Sequence, residues 1–267
     1  MGQGDPVIVI HGGPGMDQGY LLPGMAALAK KHQVVFYDQL GCGRSTATVI
    51  DESHITINSF VEDIETLRKA LKFEKVTIVG HSWGGMLAMH YAVKYPKNIK
   101  KLVLMNTVAS SSIRDFLEEV EKRTQPSADE FEKLKASQEF IDSDPLAIAQ
   151  YYRLFFQYYF YNPAGLEKLN LQLDPKGAAT GMKVAKILEE SIFVKYTDQH
   201  DDLQKLKIPT LIIGGDSDVI PFSASKNMAD VIKGSKLVVL KNCGHFPYIE
   251  QPIEWLEIME EFLGKRS

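Results

Sequence analysis

The chain has 267 residues, 45% of them apolar and 24% charged, with a formal net charge of -4 at pH 7. That length suits one large α/β domain, or a core carrying an insertion, and the composition is ordinary for a globular protein with a well-filled interior. The mild acidity argues against nucleic-acid or membrane-surface partners, and no apolar run approaches the roughly 18 residues that a membrane-spanning helix needs.

The first residues, MGQGDP, contain no basic region, and the VIVI that follows is too short for the apolar segment of a secretory signal. Cys42 and Cys243 are therefore expected to be reduced thiols in a cytoplasmic protein. Neither has a second Cys or His at ligand spacing apart from His245, so no metal is expected.

Taken in order, VIVI (7–10) is the first β-branched run, and His11-Gly12-Gly13-Pro14-Gly15 follows it directly. GYLLPGMAALAKKH then reads as a helix, QVVFYD (33–38) as a strand and INSFVEDIETLRKALKF as a second helix. KVTIVG (75–80), the helical WGGMLAMHYAVKYP and KLVLMN (101–106) continue the alternation. Strands alternating with helices imply a mostly parallel sheet flanked by helices, its strands buried on both faces.

The alternation stops near Asn106 and resumes near Ile208. Between them the sequence reads helical throughout. SADE (127–130) has the form of a capping box, DPLAIAQYYRLFFQYYFYNP carries a proline at a first helical turn, and MKVAKILEESIFVKY is a further helix. Residues 108–203 are accordingly expected to form an all-helical cap inserted into a core made of 1–107 and 204–267. The aromatic stretch 146–161 is apolar on most of its circumference, as buried helices are. It packs the cap on the core, and some of Tyr151, Tyr152, Phe155, Phe156 and Tyr159 can also line an apolar substrate pocket. TLIIGG (210–215) and KLVVLKN (236–242) resume the strands. The last helix, IEWLEIMEEFLG, has an apolar face suited to core packing, which leaves the oligomeric state open.

Gly80-His81-Ser82-Trp83-Gly84 is a G-x-S-x-G sequence placed where a strand must turn sharply into a helix. Such a turn forces the serine into strained backbone geometry and lifts its oxygen above the sheet edge at a helix N-terminus, which favours developing negative charge. The plain alternative is a glycine-rich turn with a serine N-cap. A nucleophilic serine also needs a base and oxyanion donors. The loop at His11–Gly15 can supply the N–H of Gly13, with Gly12 shaping the turn, to meet the N–H of Trp83. The phosphate-binding patterns GxGxxG and GxxxxGK[ST] are absent.

Of the seven histidines, His245 lies just past the last strand, on the same sheet edge as Ser82. His11 reads as a brace for its loop, and His81 points the wrong way off the turn. His200 sits in a polar stretch, DQHDD, while His32, His54 and His90 read as solvated. Asp216 and Asp218 both follow the strand TLIIGG and could orient the imidazole; Asp218, farther past the strand end, is the preferred one. The order Ser, Asp, His is that of an α/β-hydrolase triad.

HGGPG, FYDQLGCGRS, GHSWGG, GGDSDVIP and GHFPYIEQP together resemble the α/β-hydrolase superfamily. Within it, HGGPG, DQxGxGxS and a Trp after the nucleophile look like the proline iminopeptidase branch and its esterase-like relatives. The resemblance implies Asp218 as the acid, no cofactor, and a loop of Asp38, Gln39, Gly41, Gly43 and Ser45 that supports the site. It also implies two strands ahead of the HGGPG strand, for which only six residues are present here. Either the start is truncated or the sheet has lost an edge; as it stands, the sheet is expected to lack its first two strands, exposing strand 7–10 or its neighbour as an edge.

Proline iminopeptidases hold a substrate's free amino terminus with cap glutamates, one of them within a Trp-rich motif. Here the only tryptophans are Trp83 and Trp255, and Glu118, Glu119, Glu121, Glu139, Glu189 and Glu190 are unassigned cap candidates. The expected function is a serine hydrolase acting on a small amide or peptide, or a small apolar ester, through an acyl-enzyme on Ser82. A carboxylesterase or lipase-like hydrolase and a non-catalytic ligand sensor are the alternatives. Haloalkane and epoxide chemistries of the superfamily require Asp where this chain has Ser82.

Overall fold

The structure is a computed structural model, and it describes residues 1–22, 24–45, 49–109, 112–193 and 200–264. Among the described residues, six strands form one sheet in which every pairing is parallel: β1 (Pro6–Ile10), β2 (Gln33–Phe36), β3 (Val76–His81), β4 (Ile99–Met105), β5 (Thr210–Gly215) and β6 (Lys236–Leu240). Their order is β2-β1-β3-β4-β5-β6. The inner strands β3 and β5 are buried at every position, as β-branched runs between two covering layers should be. The outer strands are not: β2 and β6 are mostly half-buried, because an edge strand has a neighbour on one side only. The exposed edge at the N-terminal end is thus β2, the neighbour of strand 7–10. Met1 pairs with it at Val34, where its ammonium donates to the carbonyl at 2.7 Å and its carbonyl accepts the N–H at 2.8 Å.

Parallel strands place all their carboxyl ends on one side. The segments after Ile10, Phe36, His81, Met105, Gly215 and Leu240 therefore leave the sheet along a common edge. The chain runs from β1 outward to β2, then returns to β3 on the other flank of β1. That reversal makes the β1/β3 boundary a topological switch point, where open α/β sheets form their ligand crevice.

Helix α1 (Ile57–Ala70) packs on α2 (Trp83–Lys94), and α2 packs on β3 and β4. The stretch 18–30 differs from the expected helix and forms two short 3-10 segments, Gln18–Leu21 and Gly24–Lys30. Gly19, Pro23 and Gly24 interrupt its helical spacing, and each disfavours an α-helical interior.

Between β4 and β5 the described residues contain helices and no strand: α3 (Ile113–Thr124), α4 (Ala128–Lys135), α5 (Gln138–Ile141), α6 (Pro145–Phe156), α7 (Pro175–Leu188) and α8 (His200–Leu203). Asp144 and Asp174 cap α6 and α7, each ahead of a proline at the first turn. The capping box expected at 127–130 does not form. A 3-10 turn at Gln125–Ser127 joins α3 to α4, and the Ser127 hydroxyl pairs instead with the Tyr158 hydroxyl at 2.7 Å. The aromatic stretch bends from α6 into a 3-10 turn at Gln157–Tyr159, and α7 continues into a π-helical turn, Glu189–Phe193. Val194, Lys195 and Tyr196, read as the end of that helix, lie outside the described residues. Helix α9 (Phe222–Val231) packs on β5 and β6, and α10 (Pro247–Glu250) leads into α11 (Pro252–Leu263), which buries Trp255, Met259 and Leu263.

The glycines of the β3–α2 turn are required by close approach, not by φ. A Cβ on Gly84 would lie 2.2 Å from the Ile10 carbonyl oxygen, and one on Gly80 would lie 2.4 Å from that of Gly84. Gly84→Ala is expected to cost at least about 1–3 kcal/mol, because backbone must move to admit the methyl group. Urea unfolding would show it as a lower midpoint; an unchanged midpoint would contradict this packing.

Candidate active site

Ser82 has φ 55° and ψ -126°, a region that non-glycine residues avoid. It stands at the N-cap position of α2, yet its side chain makes no capping bond, so the plain reading of a capping serine fails. The turn is held from both sides. The Ser82 N–H donates to the Met105 carbonyl at 3.0 Å, and its own carbonyl accepts from Thr107 Oγ1 at 2.7 Å and from the Gly85 N–H at 2.8 Å.

The loop after β1 is wired to this turn. A Cβ on Gly12 would lie 2.9 Å from the Ser82 Cβ, which brings the two segments into direct contact. The Gly12 N–H donates to the Tyr20 hydroxyl at 2.6 Å, so it is engaged, while Gly13 lines the cavity beside Ser82. Gln39 joins the two loops. Its N–H donates to His11 Nε2 at 3.0 Å, its side-chain amide donates to the His11 carbonyl at 2.6 Å, and its amide oxygen accepts from Trp83 Nε1 at 3.0 Å. Since His11 Nε2 accepts, the ring proton sits on Nδ1 and donates to the Gly12 carbonyl at 2.8 Å. Burial lowers the His11 pKa to about 4, which keeps it a neutral brace. Asp38 supports the same region, accepting from the Gln18 and Arg44 N–H groups at 3.0 Å each.

His245 Nδ1 and Asp218 Oδ1 are 2.9 Å apart, with the two side chains 2% and 1% exposed. Donation from Nδ1 to the carboxylate turns Nε2 to the opposite side of the ring, and His245 lines the same cavity as Ser82. The Asp218 carboxylate is satisfied further by Asn106 Nδ2 at 2.7 Å and the Ile220 N–H at 3.2 Å. Asp216 faces elsewhere, taking the Ser217 hydroxyl at 3.1 Å and lying 3.7 Å from Lys241 Nζ.

Two residues that the sequence did not single out are built into this arrangement. Asn106 follows β4 with φ 47°, and its amide nitrogen donates to Asp218 and also to the Gly244 carbonyl at 3.0 Å. Both neighbours are acceptors, which fixes the amide orientation. Tyr20 accepts from Gly12 and donates to His81 Nδ1 at 2.6 Å, and His81 Nε2 donates to the His245 carbonyl at 2.8 Å. This chain connects the glycine loop to the backbone of His245. Burial holds His81 well below the usual histidine range, so it stays neutral. Both ring nitrogens of His81 are thus engaged, by the Tyr20 hydroxyl and the His245 carbonyl.

Other expectations change. His32 is buried rather than solvated, and burial lowers its pKa; His90 is half-buried, with burial lowering its pKa to about 4. Of the three, only His54 is exposed. The His200 side chain lies outside the described residues. Both cysteines are free and buried, and burial pushes the Cys42 thiol up to about 12 and raises Cys243 as well, so neither is poised as a thiolate. No group of His, Cys, Asp and Glu suited to a metal occurs among the described residues.

The cavity holds about 460 Å³, a size ordinary for small-molecule sites. Its walls come from the glycine loop, α3, the aromatic segment and α7. Tyr152, Phe155, Phe156 and Tyr159 all line it, with Tyr151, Phe116 and Met182. Among the described residues one cap carboxylate lies in the lining, that of Glu189; the residue is exposed, and partial desolvation with the neighbouring Glu190 raises its pKa. Glu119 is paired with Arg123, and Glu118, Glu121, Glu139 and Glu190 are exposed outside the cavity.

Residues 5–252 match the family model described as the alpha/beta hydrolase fold. The chain belongs to that family. Within it, the chain is a distant homologue of proline iminopeptidases over nearly its whole length. It is 31% identical to the proline iminopeptidase of Heyndrickxia coagulans, covering 98% of this chain and 92% of that protein. It is 29% identical to that of Saccharolobus solfataricus, covering 97% and 84%. Among solved structures, a proline iminopeptidase-related protein from Thermus thermophilus matches with a TM-score of 0.74 at 22% identity, covering 98% of this chain and 91% of the other. A meta-cleavage product hydrolase from Pseudomonas fluorescens matches with a TM-score of 0.71 at 23% identity, covering 98% and 92%. At those identities the two structures bear on the fold alone. No helix of the described residues is long and apolar enough to cross a membrane.

The Gly12–Tyr20–His81 chain generates a direct expectation. Tyr20→Phe removes the hydroxyl and leaves a buried N–H and a buried ring nitrogen without partners, which should cost about 1–3 kcal/mol. Denaturant unfolding measures it, and a cost near zero would mean the chain does not brace the site.

Proposed function

We propose that the protein is a serine hydrolase that transfers an acyl group to water through an ester on Ser82. The observation that carries this reading is the convergence of Ser82 and the Asp218-paired His245 on one cavity. Ser82 Oγ attacks the substrate carbonyl while His245 Nε2 takes its proton. The N–H groups of Gly13 and Trp83 hold the oxyanion, aided by the positive end of α2. Collapse breaks the bond to the leaving amine or alcohol, which takes the proton from His245. Water then attacks the acyl-enzyme with His245 again as base, releasing the acid and restoring Ser82. Asp218 keeps the imidazole in the required tautomer and offsets its charge in the protonated state. The residues 108–203 act as a cap that shields this chemistry from bulk water.

The favoured substrate is a small peptide or amide with a free amino terminus. Glu189 supports it, as an exposed carboxylate that also borders the aromatic-lined cavity, and so does the homology to proline iminopeptidases. A small apolar ester is the second reading. It is supported by the otherwise apolar lining and by the lack of any tryptophan in 108–203.

The test is a substrate panel: L-proline and L-alanine β-naphthylamides, their N-acetylated forms, and p-nitrophenyl acetate and butyrate. If Glu189 holds an ammonium group, acetylation abolishes amide cleavage, and Glu189→Gln weakens kcat/KM for free amines by about 10-fold to 100-fold while leaving the esters unchanged. Ester cleavage alone would replace the peptidase reading with an esterase. Absence of turnover on every substrate, with retained binding of one, would favour a ligand sensor.

A further inference from the structure

Arg123 leaves α3 and reaches the loop that carries Asp218. Nη1 donates to the Ser217 carbonyl at 3.0 Å and Nη2 to the Asp218 carbonyl at 2.8 Å. Nη1 also reaches the Tyr158 carbonyl at 3.4 Å. One turn back on α3, Glu119 accepts from Nε at 2.7 Å, which aims the guanidinium and holds the Glu119 carboxyl below its usual range. The next residue after Tyr158 completes the connection: the Tyr159 carbonyl accepts the His245 N–H at 2.7 Å, and its ring stands edge-on to the imidazole at 5.1 Å. One planar cation therefore grips the backbone of the acid and the segment that holds the backbone of the base.

The same helix forms a wall of the cavity. Phe116, Leu117 and Val120 line it, and Phe116, Val120 and Arg123 are spaced i, i+4, i+7 on one helical face. We propose that Arg123 is a positioning residue that couples this cavity wall to the alignment of Asp218 with His245. The inference rests on the serine-hydrolase reading. A substrate that seats against Phe116 and Val120 then also sets the helix that fixes the acid. Lysine cannot substitute fully, because a point charge lacks the fork that reaches several carbonyls at once.

The experiment is the rate of Ser82 labelling by an alkyl fluorophosphonate, which reads nucleophile activation without knowledge of the substrate. Arg123→Gln is expected to label about 10-fold to 100-fold more slowly, the scale of loss from an ångström of misplacement. Arg123→Lys should recover part of the rate, and millimolar ethylguanidinium should raise the rate of Arg123→Ala. Val120→Ala should slow labelling in the parent and add little in Arg123→Gln, since contacting parts of one device are non-additive. A folded Arg123→Gln protein that labels at the parent rate overturns the inference, as do strictly additive effects. If Arg123→Gln does not fold, Arg123→Lys decides: the parent rate overturns the inference, and slower labelling upholds it. An unlabelled parent would instead remove the serine-hydrolase reading, and this inference with it.

Discussion

The contact between two stretches of backbone, the β3–α2 turn and the loop after β1, is the constraint on which the site depends. Ser82 occupies a strained φ/ψ region, at a cost of order 1–3 kcal/mol, and such a residue persists only where its surroundings leave it no alternative. Gly84 and Gly12 let the two segments approach to distances that no Cβ would allow, and Gly80 does the same for the turn against its own Gly84 and Gly85. A parallel sheet makes that approach possible, since β1 and β3 are neighbours and both end at the same edge. The strain is thus held by the most buried part of the molecule, where Ile8, Ile10, Ile78 and Val79 have no exposure.

Around that contact, polar groups removed from water are linked to one another. Gln39 ties the glycine loop to Trp83, Tyr20 and His81 tie it to the His245 backbone, and Asn106 ties the acid to Gly244. Buried donors paired in this way rigidify a site, because breaking the pair leaves a group without water or partner. Burial also sorts the histidines. His11 and His81 are kept neutral by desolvation and serve as hydrogen-bonding struts, whereas His245 faces a carboxylate beside the cavity.

Much of this is legible in the sequence. The β-branched runs mark the six strands because a parallel strand covered on both faces must be apolar throughout, and G-x-S-x-G at a strand end marks the strained serine. Asp218 can be preferred over Asp216 from its place past the strand, and the geometry turns Asp218 to the imidazole. The rest depends on long-range contacts that leave no local trace. Tyr20 meets His81 across 61 residues, Asn106 meets Asp218 across 112, and Arg123 meets the Asp218 carbonyl across 95. Local signals also mislead where tertiary packing overrides them. Ser127 has the spacing of a capping box, but its hydroxyl is taken by Tyr158, and His32 is polar yet buried. The stretch 18–30 has helical spacing, but Gly19, Pro23 and Gly24 leave it only 3-10 turns.

The central claim is that the strain at the β3–α2 turn presents Ser82 as the nucleophile. Treatment of the native protein with a fluorophosphonate, followed by intact-mass measurement and peptide mapping, tests it most directly. One phosphonyl group per chain, located on Ser82 and absent from the Ser82→Ala protein, is the predicted result. Stable labelling at another residue, or a folded protein that takes up no label, would contradict the account.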